Sequence, residues 1–298
     1  MQKIFTILLG CSCMALTTLA NALNTIPGSS LNSRQLQSLP KLRIGLDLGL
    51  LQPSNEGLNY AKNSDRAFIV AQKYNPYYGF DLKYLFPYKN SNLGVAYHHF
   101  YGSNSSNTSD PFTLRNGQAA TWSAGRYSWK IDDVNLYAEH SVSFDNYFDI
   151  NLIGGLEYTR LSRDVRIEGK NDSTTYPDLN LINRFAGIGP EFGFDGICHP
   201  FSKRSPLSVF GGLNYAILYG ERESNADFGN LGSISENTII SHVTANFGIQ
   251  YDYNKRLNLN LGYQFQSYIG AIKDTDTERT YNQSFEGPYI RANYNFGY

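Results

Sequence analysis

An Asp-x-Asp pair set beside an Asp-x-His pair can hold and deprotonate a water for hydrolysis, and Asp274-Thr275-Asp276 supplies the first half of such a set. The chain contains no Asp-x-His, and Lys273 and Arg279 flank the acidic pair, so the segment reads as a solvated acidic loop. The five histidines give no metal-ligand spacing: His98 and His99 are adjacent and face opposite sides of an extended segment, while His140, His199 and His242 are scattered. A lipid-modifying enzyme would need Ser or His beside an orienting carboxylate at a membrane interface. His99 and His140 instead fall on an apolar register and read as members of aromatic belts. Gly187-Ile188-Gly189 lies within a strand pattern with no helix after it, so its glycines read as room inside a curved sheet rather than a phosphate loop. No nucleophile and base converge. The expectation is therefore no catalytic residue, no metal site and no cofactor.

The elements that carry these residues are indicated by composition. Of 298 residues only 17% are charged, the formal net charge is -1, and nothing suggests a nucleic-acid partner. Aromatic residues make up 14%, with 23 Tyr and 18 Phe, yet the mean hydropathy is -0.38, so long apolar runs are not their source. Membrane strands account for that mixture, because one face meets lipid, the other a polar interior, and aromatic belts mark both interfaces. A soluble β-sandwich is the alternative.

Residues 1–22 read as an export signal, with Lys3 as the positive region, Ile4 to Gly10 as the apolar stretch and Ala20-Asn21-Ala22 as the cleavage site. Lipoprotein processing at Cys11 competes with this, although Leu9 stands where a small residue is usual. After the signal leaves, Cys198 is the only cysteine, which precludes an intramolecular disulfide. Residues 23–40, rich in Ser, Asn, Gln and Pro, read as a periplasmic lead-in, and 41–298 as the membrane domain.

Period-two alternation begins at Leu42, with Leu42, Ile44, Leu46, Leu48 and Leu50 on one face. It recurs in four hairpins whose inner turns are short: Pro87 to Ser91, Phe144 to Tyr147, His199 to Pro206, and Asn254 to Arg256. The connections between hairpins are long and polar: Gln52 to Asn75, Gly102 to Gly125, Ser162 to Ile182, Glu221 to Glu236, and Ile269 to Ser284. Short turns alternating with long loops are expected of a transmembrane antiparallel up-and-down β-barrel, an all-β fold. The count is about ten strands, with eight to twelve open, and Arg66 to Tyr74 is where an extra hairpin would lie. The last strand places Ile290, Ala292, Tyr294, Phe296 and Tyr298 on one face and ends on an aromatic residue. Tyr294, Phe296 and Tyr298 resemble the signature read by the barrel assembly machinery.

By alternation the interior register holds Arg43, Asp47, Asp81, Lys83, Glu139, Asp149, Glu157, Glu191, Asp195, Asp252 and Arg291, eight acidic residues to three basic. All of these but Asp252 are the candidate pore-lining residues. Two readings stand: a hydrated, mildly cation-preferring channel, or a network of salt bridges and amides that plugs the lumen. Ten strands leave only a narrow passage in either case.

Several segments resemble the Legionella-type major outer membrane proteins, a family described as pore-forming. The best match is Asp132 to Leu161, supported by Tyr77 to Pro87, Gly187 to Asp195, Leu261 to Phe265 and Glu286 to Phe296. The resemblance implies passage of small solutes across the bacterial outer membrane. It also implies cross-linking cysteines near the mature N-terminus, and Leu23 to Pro40 contains none. The expected partners are outer-membrane lipid and the assembly machinery, with a homo-oligomer open. The alternative function is a structural or adhesive surface barrel with a closed lumen and partner-binding external loops.

Overall fold

The computed structural model describes residues 42–54, 59–63, 67–86, 90–109, 112–114, 117–144, 147–172, 174–201, 205–226, 233–273 and 279–296. The export signal, the lead-in, the Asp274-Thr275-Asp276 loop and Tyr298 lie outside the described residues. In chain order the strands are β1 (Leu42–Pro53), β2 (Asn59–Lys62), β3 (Ala67–Ile69), β4 (Asn75–Leu85), β5 (Ser91–Thr108), β6 (Phe112–Leu114), β7 (Ala119–Ala120) and β8 (Trp122–Phe144). They continue as β9 (Phe148–Asn171), β10 (Thr174–Thr175), β11 (Leu179–Cys198), β12 (Leu207–Ala226), β13 (Ile234–Asp252), β14 (Leu257–Lys273) and β15 (Thr280–Phe296).

Ten of these close on themselves. The order β9-β11-β12-β13-β14-β15-β1-β4-β5-β8 returns to β9 through antiparallel pairing of β8 with β9, and β1 joins β15 from Leu42↔Phe296 to Pro53↔Phe285. Closure leaves no unpaired edge in hydrocarbon, where an unsatisfied backbone group costs several kcal/mol. Of the segment Arg66 to Tyr74, the described residues 67–74 add no barrel hairpin. Their strand β3 belongs to a separate four-stranded sheet, β3-β2-β6-β7, built from the first two external connections.

The lipid-facing register is continuous around the wall. Leu48, Leu136, Phe192, Phe247 and Leu261 project outward, and Leu48, Phe247 and Leu261 are each more than 60% exposed. Aromatic residues mark both edges of this band: Tyr84, Phe144, Phe148 and Tyr294 toward the turn side, and Tyr78, Tyr97, Tyr158 and Tyr219 toward the loop side. From Phe148 to Tyr158 the rise along the strand is about 33 Å, or about 25 Å after the usual tilt, which is the height of a membrane barrel's apolar band.

The long connections are shorter than the sequence suggests. β9 has 24 residues and runs roughly 80 Å at the usual rise, so more than half of it stands beyond the band. There the alternation continues with its faces exchanged. On β8, Val134 and Leu136 face out while Asn135 and Glu139 face in; farther along, Arg126 and Lys130 face out while Tyr127, Trp129 and Ile131 face in. Water replaces lipid outside, so polar residues turn outward, and the interior becomes apolar. Gly102 to Gly125, Ser162 to Ile182, Glu221 to Glu236 and Ile269 to Ser284 are therefore largely strand.

That outer interior is a packed core. Tyr127, Trp129, Leu161, Ile167, Phe185, Tyr268 and Phe285 are wholly buried, and Phe285 meets Phe100, Trp129 and Tyr268 at ring separations of 5.1, 5.8 and 6.2 Å. The small sheet adds Tyr60, Phe112, Leu114 and Ala120 to the same cluster. Gly125 makes room for it, since a Cβ there would lie 2.8 Å from the Tyr60 ring. Gly189 serves the wall itself: a Cβ would run into the Ile217 carbonyl on β12.

Candidate functional site in the lumen

Within the membrane band the inward register is polar, because closure removes these side chains from lipid and leaves them only one another and water. A cavity of about 120 Å³ lies there, room for several waters. Its lining includes Asp81, Lys83, His98, Asp133, Asn135, Tyr137, Glu157, Glu191, Asp195, His242, Gln264 and Arg291.

The candidate residues fall into three sets. On the turn side, Arg43 Nε donates to Asn295 Oδ1 at 2.8 Å, Lys83 Nζ donates to Glu139 Oε2 at 2.7 Å, and His199 Nε2 lies 3.3 Å from Asp149 Oδ2. At mid-depth Arg291 grips Asp47 through Nε at 2.5 Å and Nη2 at 2.8 Å, an in-register pair across the β15–β1 seam, and His98 Nε2 approaches Asp47 at 3.6 Å. Toward the outer core, His242 Nδ1 sits 2.6 Å from Glu157 Oε1, and Glu157 also accepts from Thr159 at 2.7 Å. The His242 ring stacks on Tyr268 at 4.1 Å, and the Tyr268 hydroxyl donates to Asp133 Oδ2 at 2.7 Å. This layer separates the polar lumen from the apolar core.

Asp47, Glu139 and Glu157 thus have cationic or histidine partners. Asp81 is held by the Tyr137 hydroxyl and Glu191 by Asn135 Nδ2 at 3.0 Å. Among the described residues neither of these, nor Asp133 nor Asp195, has a salt-bridge partner. Asp133 is 5% exposed and its Oδ1 accepts no hydrogen bond from the protein. The lumen therefore combines a paired polar network with carboxyl groups that lack a cationic partner, set around a polar cavity. Asp252 stays outside the cavity lining and accepts from Gln250 at 3.0 Å.

Sequence reasoning missed Asp133, His98 and His242. Asp133 shares parity with Asn135 and Glu139, which could have found it. His242 lies 85 residues from Glu157, and only barrel closure brings them together. His99 faces outward beside Tyr97 and Tyr78, and it does have an orienting carboxylate: its Nδ1 lies 2.7 Å from Asp132 Oδ1. His140 also sits on the outer register, 3.0 Å from Ser91 Oγ. Tyr294 and Phe296 face outward at the closing strand, their rings 4.7 Å apart.

At the external mouth, Glu236 draws together Arg222 and Lys273, with Lys273 Nζ 2.9 Å from Oε2. The Arg222 hydrogen bond, followed by that of Lys273, holds the Glu236 carboxyl below the usual carboxylate range. Arg222 also donates to the Gly270 carbonyl.

Among solved structures the chain is similar to the outer membrane protease OmpT from Escherichia coli, at 12% identity and a TM-score of 0.53, covering 86% of this chain and 96% of that one. It is also similar to the translocator domain of autotransporter NalP from Neisseria meningitidis (10% identity, TM-score 0.42, 97% and 96% covered). A third is a major outer membrane protein from Thermus thermophilus (11% identity, TM-score 0.37, 86% and 99% covered). At these identities the likeness to OmpT speaks for the barrel fold alone. No curated protein matches the chain. A family profile described as the Legionella pneumophila major outer membrane protein precursor matches residues 39–296, nearly the whole barrel and its closing strand. This outer-membrane β-barrel belongs to that family.

Proposed function

We propose that the barrel gives narrow passage to ions and small hydrophilic solutes, with a preference for cations, and that the conformation described is its closed state. One observation carries the reading: at membrane depth the lumen is lined with charge around a 120 Å³ cavity, although an anchor alone would be served by apolar packing at lower desolvation cost. Asp81, Asp133, Glu191 and Asp195 supply the bias, since acidic linings favour cations. The aromatic core above them is the closure, and conduction requires it to shift. The reading is one of transport and not of catalysis. It includes recognition of the closing strand, through Tyr294 and Phe296, by the assembly machinery, and leaves a role for self-association.

A second reading, a surface barrel with a permanently closed lumen, is favoured by the same core and by the small sheet seated in the external mouth. Planar-bilayer recording separates the two. Cation-selective steps are expected from the full mature chain, with selectivity reduced in Glu191→Gln/Asp195→Asn. Absence of steps from protein known to be inserted would sink the passage reading and leave the surface barrel.

A further inference from the structure

The outer wall just above the lipid-facing band is not uniformly charged. On β8, β9 and β11, Lys130, Ser162 and Arg184 pair in one row, and Arg160 stands two residues below Ser162 on the same face. With strands about 4.8 Å apart and about 3.3 Å of rise per residue, these three cations fit within roughly 10 Å of one another. Directly beneath them, Val134, Tyr158 and Ile188 pair in a row and are exposed to lipid. Around the wall on β12 the corresponding outward positions are Glu221 and Glu223, so the three cations are confined to β8, β9 and β11, where Asp132 and Asp164 share their outward face.

The cations are weakly committed within the protein. Lys130 is exposed and lies 3.3 Å from the half-buried Asp132, and Arg184 is 3.9 Å from Glu223 with both side chains exposed; surface pairs of this kind contribute little. Arg160 lies across from Asp132 in register, but Asp132 is engaged by His99, Tyr97 and Lys130, and Arg160 has no ion pair among the described residues. Guanidinium groups and an ammonium held at the upper edge of an apolar band match a headgroup whose phosphates sit directly above acyl chains.

We propose that Lys130, Arg160 and Arg184 form a docking site for the phosphates of a phosphorylated glycolipid in the outer leaflet, with its acyl chains lying along Tyr158, Val134 and Ile188. Charge complementarity and continuity with the lipid-facing surface set this occupant apart from a soluble anion, which has no use for the apolar row.

The full mature protein in detergent micelles is titrated with bisphosphorylated lipid A, with its enzymatically dephosphorylated form and with inorganic phosphate. Each basic side chain near an anionic lipid surface strengthens attachment by a factor of about five, so the bisphosphorylated form should bind at least about tenfold more tightly than the dephosphorylated one. Lys130→Gln/Arg160→Gln/Arg184→Gln should abolish that difference while the heat-modifiable gel shift of the closed barrel is retained. Arg126→Gln/Arg166→Gln, about 13 Å farther along the strands and beyond the screening length, should leave the difference intact. Equal binding of the two lipids, or an undiminished difference in the triple variant, overturns the site. Competition by inorganic phosphate at concentrations equal to the lipid overturns the lipid as its occupant and leaves a simple anion site.

Discussion

The two halves of the barrel wall are made of the same strands and obey opposite rules. Inside the apolar band, β8 turns Val134 and Leu136 outward and Asn135 and Glu139 inward; beyond it, the same strand turns Lys130 outward and Trp129 and Ile131 inward. Backbone pairing runs unbroken through the change. What differs is the solvent outside. Lipid makes the membrane half an inverted protein, polar within, whereas water makes the outer half an ordinary one with a hydrophobic core. Stability of the outer half therefore rests on inward aromatics, and that of the membrane half on its outward face and on pairs such as Arg291 with Asp47.

The strongest way to break this comparison is Trp129→Ala. It empties a wholly buried site against Phe285 and should cost about 3–5 kcal/mol in denaturant unfolding from lipid vesicles. An outward aromatic such as Phe247 should cost much less on truncation, and equal losses would mean the outer half has no core of its own. Next in size, Leu261→Arg on the lipid face should cost about 2–4 kcal/mol near mid-band, while Ser162→Arg on the outer wall should change stability little. A penalty at Ser162 matching that at Leu261 would move the lipid boundary outward. The smallest effect belongs to Glu236. Its carboxyl is held below the usual range by Arg222 and Lys273, so the stabilisation is present above the ordinary carboxylate pKa and is lost as pH falls through the depressed one. Glu236→Gln should remove that acid-side slope from protease nicking of the external mouth measured against pH, and an unchanged slope would assign it elsewhere.

The membrane half was legible in the sequence because hydrocarbon tolerates so few residue types on one face. Leu42 to Leu50, Val134 to Val142 and Ile290 to Phe296 announce strands, and the ten strands with their turns follow. The outer half was misread as loop for the same reason: its outward positions are Arg, Lys, Ser and Asp. Alternation persists there in Tyr127, Trp129 and Ile131 and in Leu161, Val165 and Ile167, and asking for period two without asking which face is apolar would have recovered it. In the lumen, parity alone identified Asp47, Asp81, Glu139, Glu157, Glu191 and Asp195 as inward carboxylates and passed over Asp133. Partner choice was not legible, since Arg291 reaches Asp47 only across the closing seam and His242 reaches Glu157 only across the barrel.

The exchange of faces at Asp132 and Asp133 also acts as a draught mark. Sinking the barrel by two residues along its strands, roughly 5 Å of depth after tilt, would draw Arg160 and Asp132 into hydrocarbon. Rising by the same amount would lift Val134, Tyr158 and Ile188 into water. Both displacements are uphill, so the position of the barrel along the bilayer normal is written into β8, β9 and β11.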